Sequence, residues 1–511
     1  MIKKIVIVGG GTAGWITASI LIYKLNPKIK ISLIESKEIP IVGVGESTTG
    51  TISQLIDDHT HLGGIRNFLK ETGATYKYGI RHVDWLRKNH SFVSPIGSSF
   101  ERWKKYPTED YDHIRIYHVA EKLNYVIPLQ NQLMLQDKLY YVKHGDKYQM
   151  MHDLDDGLHI DAFKTSDYFR KKCLSTGRIT RIEDTIQSFI KNDLGGVKTL
   201  KLKSGKELDA DLFIDCSGWH KTLIKDMGVN FVSYENNLLT NRAILFPKKN
   251  KENDILKNHL TATARKYGWT FEIPLQERTG RGYIINRHMV SDEDAVKEMN
   301  ECFNEEIEVK KTINFEVGRL NNFWIKNVLA VGLCSNFIEP LEATGLHTTI
   351  EQVEHFCDYY LNDTLDLYDY YLQKNYNDHI TSFIDDIRDF ILLHYQTKRT
   401  DTDFWIESSS KKRWTEEFKR KMYTWKKRMP RKHDYHHKGR LHGLSNALWL
   451  QVGHGYEIFD SEIAKKELEY YGLYDIAKQQ LNEIGVFSKY CVDNAMTTND
   501  FYKLLNNGKI N

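Results

Sequence analysis

Lys3-Lys4-Ile5-Val6-Ile7-Val8 opens this chain and runs straight into Gly9-Gly10-Gly11-Thr12-Ala13-Gly14, an apolar stretch of strand length followed by G-x-G-x-x-G. That order, strand to glycine turn to helix, is the dinucleotide-binding fingerprint. Gly9 permits the tight turn, Gly11 lets the backbone approach a pyrophosphate, and Gly14 lets the helix pack close to the strand. Thr12 and Ala13 start that helix, whose free N–H groups face the phosphate charge. A second apolar run, Ile31-Ser32-Leu33-Ile34, ends in Glu35, an acid about twenty residues on and placed for a ribose hydroxyl. An acid there argues for adenosine without a 2′-phosphate. The plain alternative is a structural glycine turn, which the strand on each side and the acid on schedule disfavour.

Composition agrees with a globular enzyme. The 511 residues correspond to about three domain-sized units, enough for a substantial core. Hydrophobic residues make up 41%, and 71 basic against 68 acidic residues leave a net charge of +3, which gives no reason to invoke nucleic acid or an acidic membrane. The first apolar run is a short core strand rather than a signal peptide, and no stretch reaches membrane-spanning length. The expected location is the cytoplasm. Six cysteines, Cys173, Cys216, Cys302, Cys334, Cys357 and Cys491, are scattered without a C-x-x-C pair and read as buried thiols of a reducing compartment.

Strand and helix patterns alternate to about residue 361, and cofactor-type segments recur at separated places. The fold class expected is α/β with a mixed sheet, its nucleotide part discontinuous over about residues 1–50, 150–220 and 320–361. Val42-Gly43-Val44-Gly45-Glu46-Ser47-Thr48 is a glycine-spaced turn able to pass close to a flat ring, through Gly45 and Ser47. Lys203-Ser204-Gly205-Lys206 signals a hairpin that leads into Leu212-Phe213-Ile214 and the turn Asp215-Cys216-Ser217-Gly218. A third strand, Val328-Leu329-Ala330-Val331, carries Gly332 at its end and precedes a long helix expected from about His347, near Leu346. Residues 362–511 turn to Tyr, Trp, Asp, Lys and Arg and read as mainly helical.

These pieces, in this order, resemble the flavin-dependent halogenases, the group typified by tryptophan halogenases, from the first strand to about residue 360. Gly9 to Gly14 followed by Trp15 is similar to that family's G-x-G-x-x-G-W opening. Val44-Gly45-Glu46-Ser47-Thr48 is similar to its V-G-E-[AS]-T segment, and Ala74-Thr75-Tyr76-Lys77-Tyr78-Gly79-Ile80 to the stretch that holds its essential lysine. The hallmark W-x-W-x-I-P appears as Trp269-Thr270-Phe271-Glu272-Ile273-Pro274, with Phe271 replacing the second tryptophan. Glu339-Pro340-Leu341-Glu342-Ala343-Thr344-Gly345 is similar to E-P-L-E-[AS]-T-G. The resemblance implies an FAD domain of the flavin monooxygenase (GR2) type over residues 1–361, with the halide and catalytic site, and a helical region over 362–511 that covers the substrate.

It also implies roles. Reduced FAD and O2 oxidise a halide, chloride, bromide or iodide, to hypohalous acid. Thr344 and Gly345 hold the halide at a helix N-terminus. Lys77 hands the halogen on, either by hydrogen-bonding the hypohalous acid or through a haloamine, while Glu342 tunes Lys77 and assists the leaving proton. Trp269, Phe271, Ile273 and Pro274 wall off the flavin so that the substrate is not oxygenated directly. Trp449, within Ser445-Asn446-Ala447-Leu448-Trp449, is a candidate to sandwich the substrate. No second glycine fingerprint supplies a nicotinamide site, so reduced FAD is expected from a separate flavin reductase by diffusive handover. A homodimer is the assembly allowed for.

Other readings are plainer. Taken singly, Lys77 is a surface lysine, Glu342 a helix N-terminal acid and the aromatic pair a core strand. His433, His436, His437 and His442 lie in and beside the basic run 411–440, which reads as a solvated helical face, so no metal is assigned. Two rivals stand beside halogenation: a flavin monooxygenase of the same fold, which does not need Lys77 with Glu342, and a non-catalytic flavin-binding protein. In the tryptophan enzymes a histidine follows the lysine in the pocket. Residues 92–100 contain none, and His113 and His118 do not align. The expected substrate is therefore a small electron-rich aromatic of the indole or phenol class rather than free tryptophan, with bromide or iodide outperforming chloride if the tunnel is roomy.

Overall fold

The computed structural model describes residues 2–39, 46–96, 111–124, 127–145, 147–150, 156–431, 434 and 446–510. Gly45 and His433, His436, His437 and His442 lie outside them.

The opening run forms a strand, Lys4–Val8, whose Ile5, Val6, Ile7 and Val8 are all buried. A strand apolar on both faces belongs inside a parallel sheet covered by helices. It is central in a six-stranded sheet whose order is Ile179–Glu183, Lys30–Glu35, Lys4–Val8, Leu212–Asp215, Val328–Ala330 and Trp324–Ile325. All pairings are parallel except the last. The sheet thus gathers strands from three distant parts of the chain. Helix Thr12–Lys24 packs on it against Ala162–Ser175 and Thr344–Tyr359.

A second sheet is antiparallel apart from one parallel pair and stands across from the first. It runs Lys311–Asn314, Arg242–Leu245, Arg278–Ile285, Gly268–Pro274, His259–Ala264, Gly79–Val83 and Ser91–Pro95, with Lys248–Lys249 added beside Arg278–Ile285. Between the sheets a small antiparallel ladder sets Gly157–Ile160 between Glu46–Ser47 and Thr75–Lys77. The hairpin read at Lys203-Ser204-Gly205-Lys206 joins Val197–Leu202 to Glu207–Asp209, with Gly205 at φ +84°.

Beyond residue 361 the described chain is helical apart from the short strand Met496–Thr497, and its longest helix is Tyr370–His394. The helix expected from about His347 starts at Thr344, because Ala343 adopts a left-handed φ of +58° and breaks the preceding 3-10 turn there. Two expectations need correction. Cys302 is exposed near the end of helix Asp292–Phe303, so only five of the six thiols are buried. Lys421, read as part of a solvated face, is buried with its Nζ 2.9 Å from Asp386. Among the described residues no helix is long and apolar enough to cross a membrane.

Candidate active site

The fingerprint glycines form one end of a cavity of about 550 Å3. Gly9 sits at φ +111°, and a Cβ there falls 2.4 Å from the Cys216 carbonyl oxygen. At Gly14 a Cβ falls 1.9 Å from the Gly9 carbonyl oxygen, so the helix approaches the turn this closely only because Gly14 lacks a side chain. Gly11 differs: a Cβ there meets nothing within 4 Å, and its open side faces the cavity. Helix Thr12–Lys24 begins without a side-chain cap, so its first N–H groups are free to receive an anion. The uncapped helix start and the open glycine suit the pyrophosphate of an adenine dinucleotide. Glu35 lines the same end, where its carboxylate accepts from Trp15 Nε1 at 3.1 Å and pairs with Arg181. Cys216, Ser217 and Gly218 also line it, whereas Asp215 is structural, accepting from the backbone N–H groups of Ser217, Leu223 and Ile224.

Gly332 sits against the fingerprint helix, where a Cβ falls 2.9 Å from the Ala13 side chain, and the cavity also meets Pro340, Ala343, Thr344, Gly345 and Leu346. Helix Thr344–Tyr359 also starts without a side-chain cap, and Gly345 leaves open space on its cavity side. A sixteen-residue helix ending here presents partial positive charge from its free N–H groups. Ser47 lines the cavity beside Glu46, which burial, and secondarily the Asp161 charge, push up to about 7.

Lys77 ends its strand in the small ladder, opposite Gly157. Its side chain is 1% exposed and Nζ donates to the Thr48 carbonyl at 3.0 Å. Thr48 is locked in turn, its N–H on the Leu158 carbonyl at 2.9 Å and its hydroxyl on the Leu158 N–H at 2.8 Å. The ladder thereby ties the lysine to the segment that lines the cavity. Burial lowers the Lys77 ammonium to about 8, against the opposing pull of the Glu342 charge.

Glu342 closes the 3-10 turn Pro340–Glu342 immediately before the helix start. Its Oε1 lies 2.7 Å from His394 Nε2, at the end of helix Tyr370–His394. The next residue, Tyr395, donates to Glu339 Oε1 at 2.8 Å, and Thr240 donates to the same carboxylate. Burial pushes Glu339 up to about 7. Consecutive residues of the helical region therefore hold the two acids of the E-P-L-E turn apart and in place.

In strand Gly268–Pro274 the period of two puts Trp269, Phe271 and Ile273 on one face. Phe271 and Ile273 line the cavity, and Trp269 lies behind them, fully buried against Trp85 with ring centroids 5.9 Å apart. Phe271 faces Gly282 across the ladder, where any Cβ falls 2.5 Å from its ring. The Pro274 carbonyl accepts from Thr75 at 2.5 Å, joining this wall to the lysine strand.

The structure does not bring Trp449 to the cavity. Its ring is fully buried against Phe390 and Trp425, with centroids 5.0 and 5.6 Å away, because helix Asn446–Gly455 turns that face into the helical core. Tyr456, just past that helix, is the aromatic that reaches the Glu342 side, packed on His82, Phe92 and His394. His113 and His118 belong to helix His113–Ala120, bonded to Gln480 and to the Ile114 carbonyl. His82, His394, Tyr395 and Tyr456 carried no motif and were invisible to spacing.

Comparison with known proteins agrees with this geometry. A family model described as tryptophan halogenase matches residues 4–466. Tryptophan 7-halogenase RebH of Lentzea aerocolonigenes is 30% identical over 428 residues, spanning 79% of this chain and 78% of that protein. Tryptophan 6-halogenase ThaL of Streptomyces albogriseolus is 27% identical over 420 residues, with the same two coverages of 79% and 78%. Among solved structures, BrvH, a flavin-dependent halogenase from Brevundimonas sp. BAL3, matches with a TM-score of 0.82 at 27% identity over 99% of both chains. A tryptophan halogenase from Shewanella frigidimarina NCIMB 400 shares the fold, with a TM-score of 0.88 at 23% identity over 100% of this chain and 98% of that one. A glycine cradle, a buried lysine and a docked glutamate, on a chain whose family match runs nearly end to end, make this protein a member of the tryptophan halogenase family of flavin-dependent enzymes.

Proposed function

We propose that this enzyme halogenates a small electron-rich aromatic of the indole or phenol class, with Lys77 delivering the halogen and Glu342 assisting. The observation that carries this reading is the common setting of Lys77 and Glu342: both are buried, the Glu342 charge favours the Lys77 ammonium, and each is joined through one short segment to the cavity expected to hold FAD. Reduced FAD, when bound, supplies with O2 the oxidising power that turns a halide into hypohalous acid. The N–H groups at Thr344 and Gly345 hold the halide without covalent ligands. Phe271, Ile273 and Pro274, backed by Trp269, keep the aromatic substrate from the flavin side.

Lys77, held by Thr48, keeps its remaining N–H groups for the hypohalous oxygen and so polarises the halogen toward the ring. As the ring gains the halogen it becomes cationic, and the Glu342 carboxylate stabilises that charge and accepts the departing proton. Gly9, Gly11, Thr12, Ala13 and Gly14 take the pyrophosphate, and Glu35 with Arg181 borders the ribose. Residues 1–361 form the FAD and halide module and 362–511 the substrate-side region. The enzyme works in the cytoplasm, with reduced FAD brought by a separate reductase.

The test is mass spectrometry of products from a panel of indoles, phenols and tryptophan with purified enzyme, FAD, a flavin reductase, NADH, O2 and each halide in turn. Lys77→Ala is run beside it. Halogenated product that disappears in Lys77→Ala is the expected result. Hydroxylated product retained in Lys77→Ala would show a monooxygenase instead.

A further inference from the structure

Beside Lys77, a second chemistry is built into the protein where two histidines that no motif singled out meet Glu342. His82 on strand Gly79–Val83, Glu342 and His394 offer three ligand atoms that all lie within 4.8 Å of one another, and all three side chains are buried. They come from three separate elements, so only the tertiary fold brings them together.

Two details point to an occupant. His82 is 0% exposed, yet neither ring nitrogen has a hydrogen-bond partner. Leaving a buried imidazole without partners is unfavourable, and a ligand would recover that loss. Its ring is held by stacking on Phe92, with centroids 4.6 Å apart and planes 14° apart, so its orientation is set without any polar contact. His394 is arranged the other way. Its Nδ1 donates to the Phe390 carbonyl at 2.9 Å, which fixes the ring and leaves Nε2 toward Glu342. A ring N–H on a backbone carbonyl is the usual outer support of a metal-ligating histidine.

We infer that His82, Glu342 and His394 form a binding site for a zinc-class divalent ion, and that the bound ion silences halogenation. Two imidazoles and a carboxylate suit zinc and its transition-metal neighbours, while magnesium and calcium prefer oxygen ligands. Bonds of about 2.0–2.1 Å put tetrahedral ligand atoms about 3.3 Å apart. The His82 and His394 ring centroids, 5.3 Å apart, leave room for an ion between the rings with small side-chain adjustment. The ion replaces the hydrogen now shared between His394 Nε2 and Glu342 and releases it as a proton. Silencing rests on the role proposed for Glu342: a carboxylate bound to metal cannot accept the ring proton.

The experiment uses the full chain without a histidine tag. Binding is read first without flavin, by Co2+ absorption in the visible range and by Zn2+ stoichiometry after equilibrium dialysis. One ion per chain is expected, with the Co2+ bands lost and Zn2+ affinity reduced at least about tenfold in both His82→Phe and His394→Gln. Zinc-edge X-ray absorption on the unaltered protein reads the ligands independently of any variant, and two imidazoles with oxygen and no sulfur are expected. Product formation is then measured with EDTA and with excess Zn2+, and that ratio is expected to fall toward one in His82→Phe. Substoichiometric metal, sulfur ligation, or bands unchanged in both variants would overturn the site. One bound ion without inhibition would overturn the silencing alone. Absence of any halogenated product with EDTA, alongside intact Co2+ binding, would count against the halogenase reading and leave the site standing.

Discussion

At Lys77 stability and the proposed chemistry pull in opposite directions. Its ammonium is held at about 8 instead of the ordinary 10.5, mainly by burial. The unfolded chain therefore binds that proton more tightly, so Lys77 opposes folding below pH 8 and the opposition fades as pH rises from about 8 to 10.5. Lys77→Met removes the buried charge at the loss of one bond to the Thr48 carbonyl. It is expected to stabilise the chain by about 2 kcal/mol at pH 7, the gain shrinking at pH 10, while abolishing halogenated product. Chemical denaturation at the two pH values checks this, and a variant less stable at pH 7 would contradict it. Gly11 offers the converse separation. A Cβ there meets no atom, so Gly11→Ala is expected to leave the melting temperature of the flavin-free protein unchanged and to weaken FAD binding at least about tenfold, read by fluorescence titration. The sequence could identify Lys77 and Gly11 because each sits inside a motif. It was silent on His82 and His394, since a lone histidine among apolar residues has no spacing to betray a partner hundreds of residues away.

At the scale of elements, one strand pair and one helix start border the cavity where the proposed function divides flavin from substrate. Phe271 occupies space that exists because Gly282 lies opposite it. Gly282→Ala is expected to push the ring into the cavity, destabilise the chain by about 1–3 kcal/mol and raise hydrogen peroxide release relative to product. A peroxide assay run beside product analysis checks it, and unchanged coupling would mean the wall does not depend on this pair. Gly345 begins helix Thr344–Tyr359 with its open side toward the cavity. Gly345→Ala is expected to raise the halide KM severalfold with little change in stability, measured by halide titration at saturating substrate. The strand alternation behind Phe271 was legible, because a period of two over seven residues assigns faces directly. The helix start was read three residues late, because the left-handed turn at Ala343 is not one its side chain favours.

Over the whole molecule, the helical region is bonded into the candidate site. Tyr395 holds Glu339, His394 holds Glu342, the Tyr502 hydroxyl accepts from the Tyr76 N–H at 2.7 Å next to Lys77, and Trp405 donates to the Arg265 carbonyl at 2.6 Å. A chain ending at residue 361 lacks all of these and is expected to fail to fold to a soluble enzyme, which expression and circular dichroism test directly. Tyr395→Phe is the milder form: it strips a partner from a buried carboxylate and is expected to destabilise by about 1–3 kcal/mol in denaturant unfolding. By itself the sequence determined the glycine cradle, the strands beneath it, the lysine's motif and the helical region from about residue 362. Each depends on residues close together in the chain, where apolar period and glycine placement act directly on local conformation. Only the tertiary structure decided which side chains face one another across the site. It turned Trp449 into the core, brought Tyr456 and two histidines to Glu342, and buried Lys421 on Asp386. Those contacts join separate elements, from 35 to more than 250 residues apart, and their pairing is set by how whole elements pack rather than by any pattern along the chain.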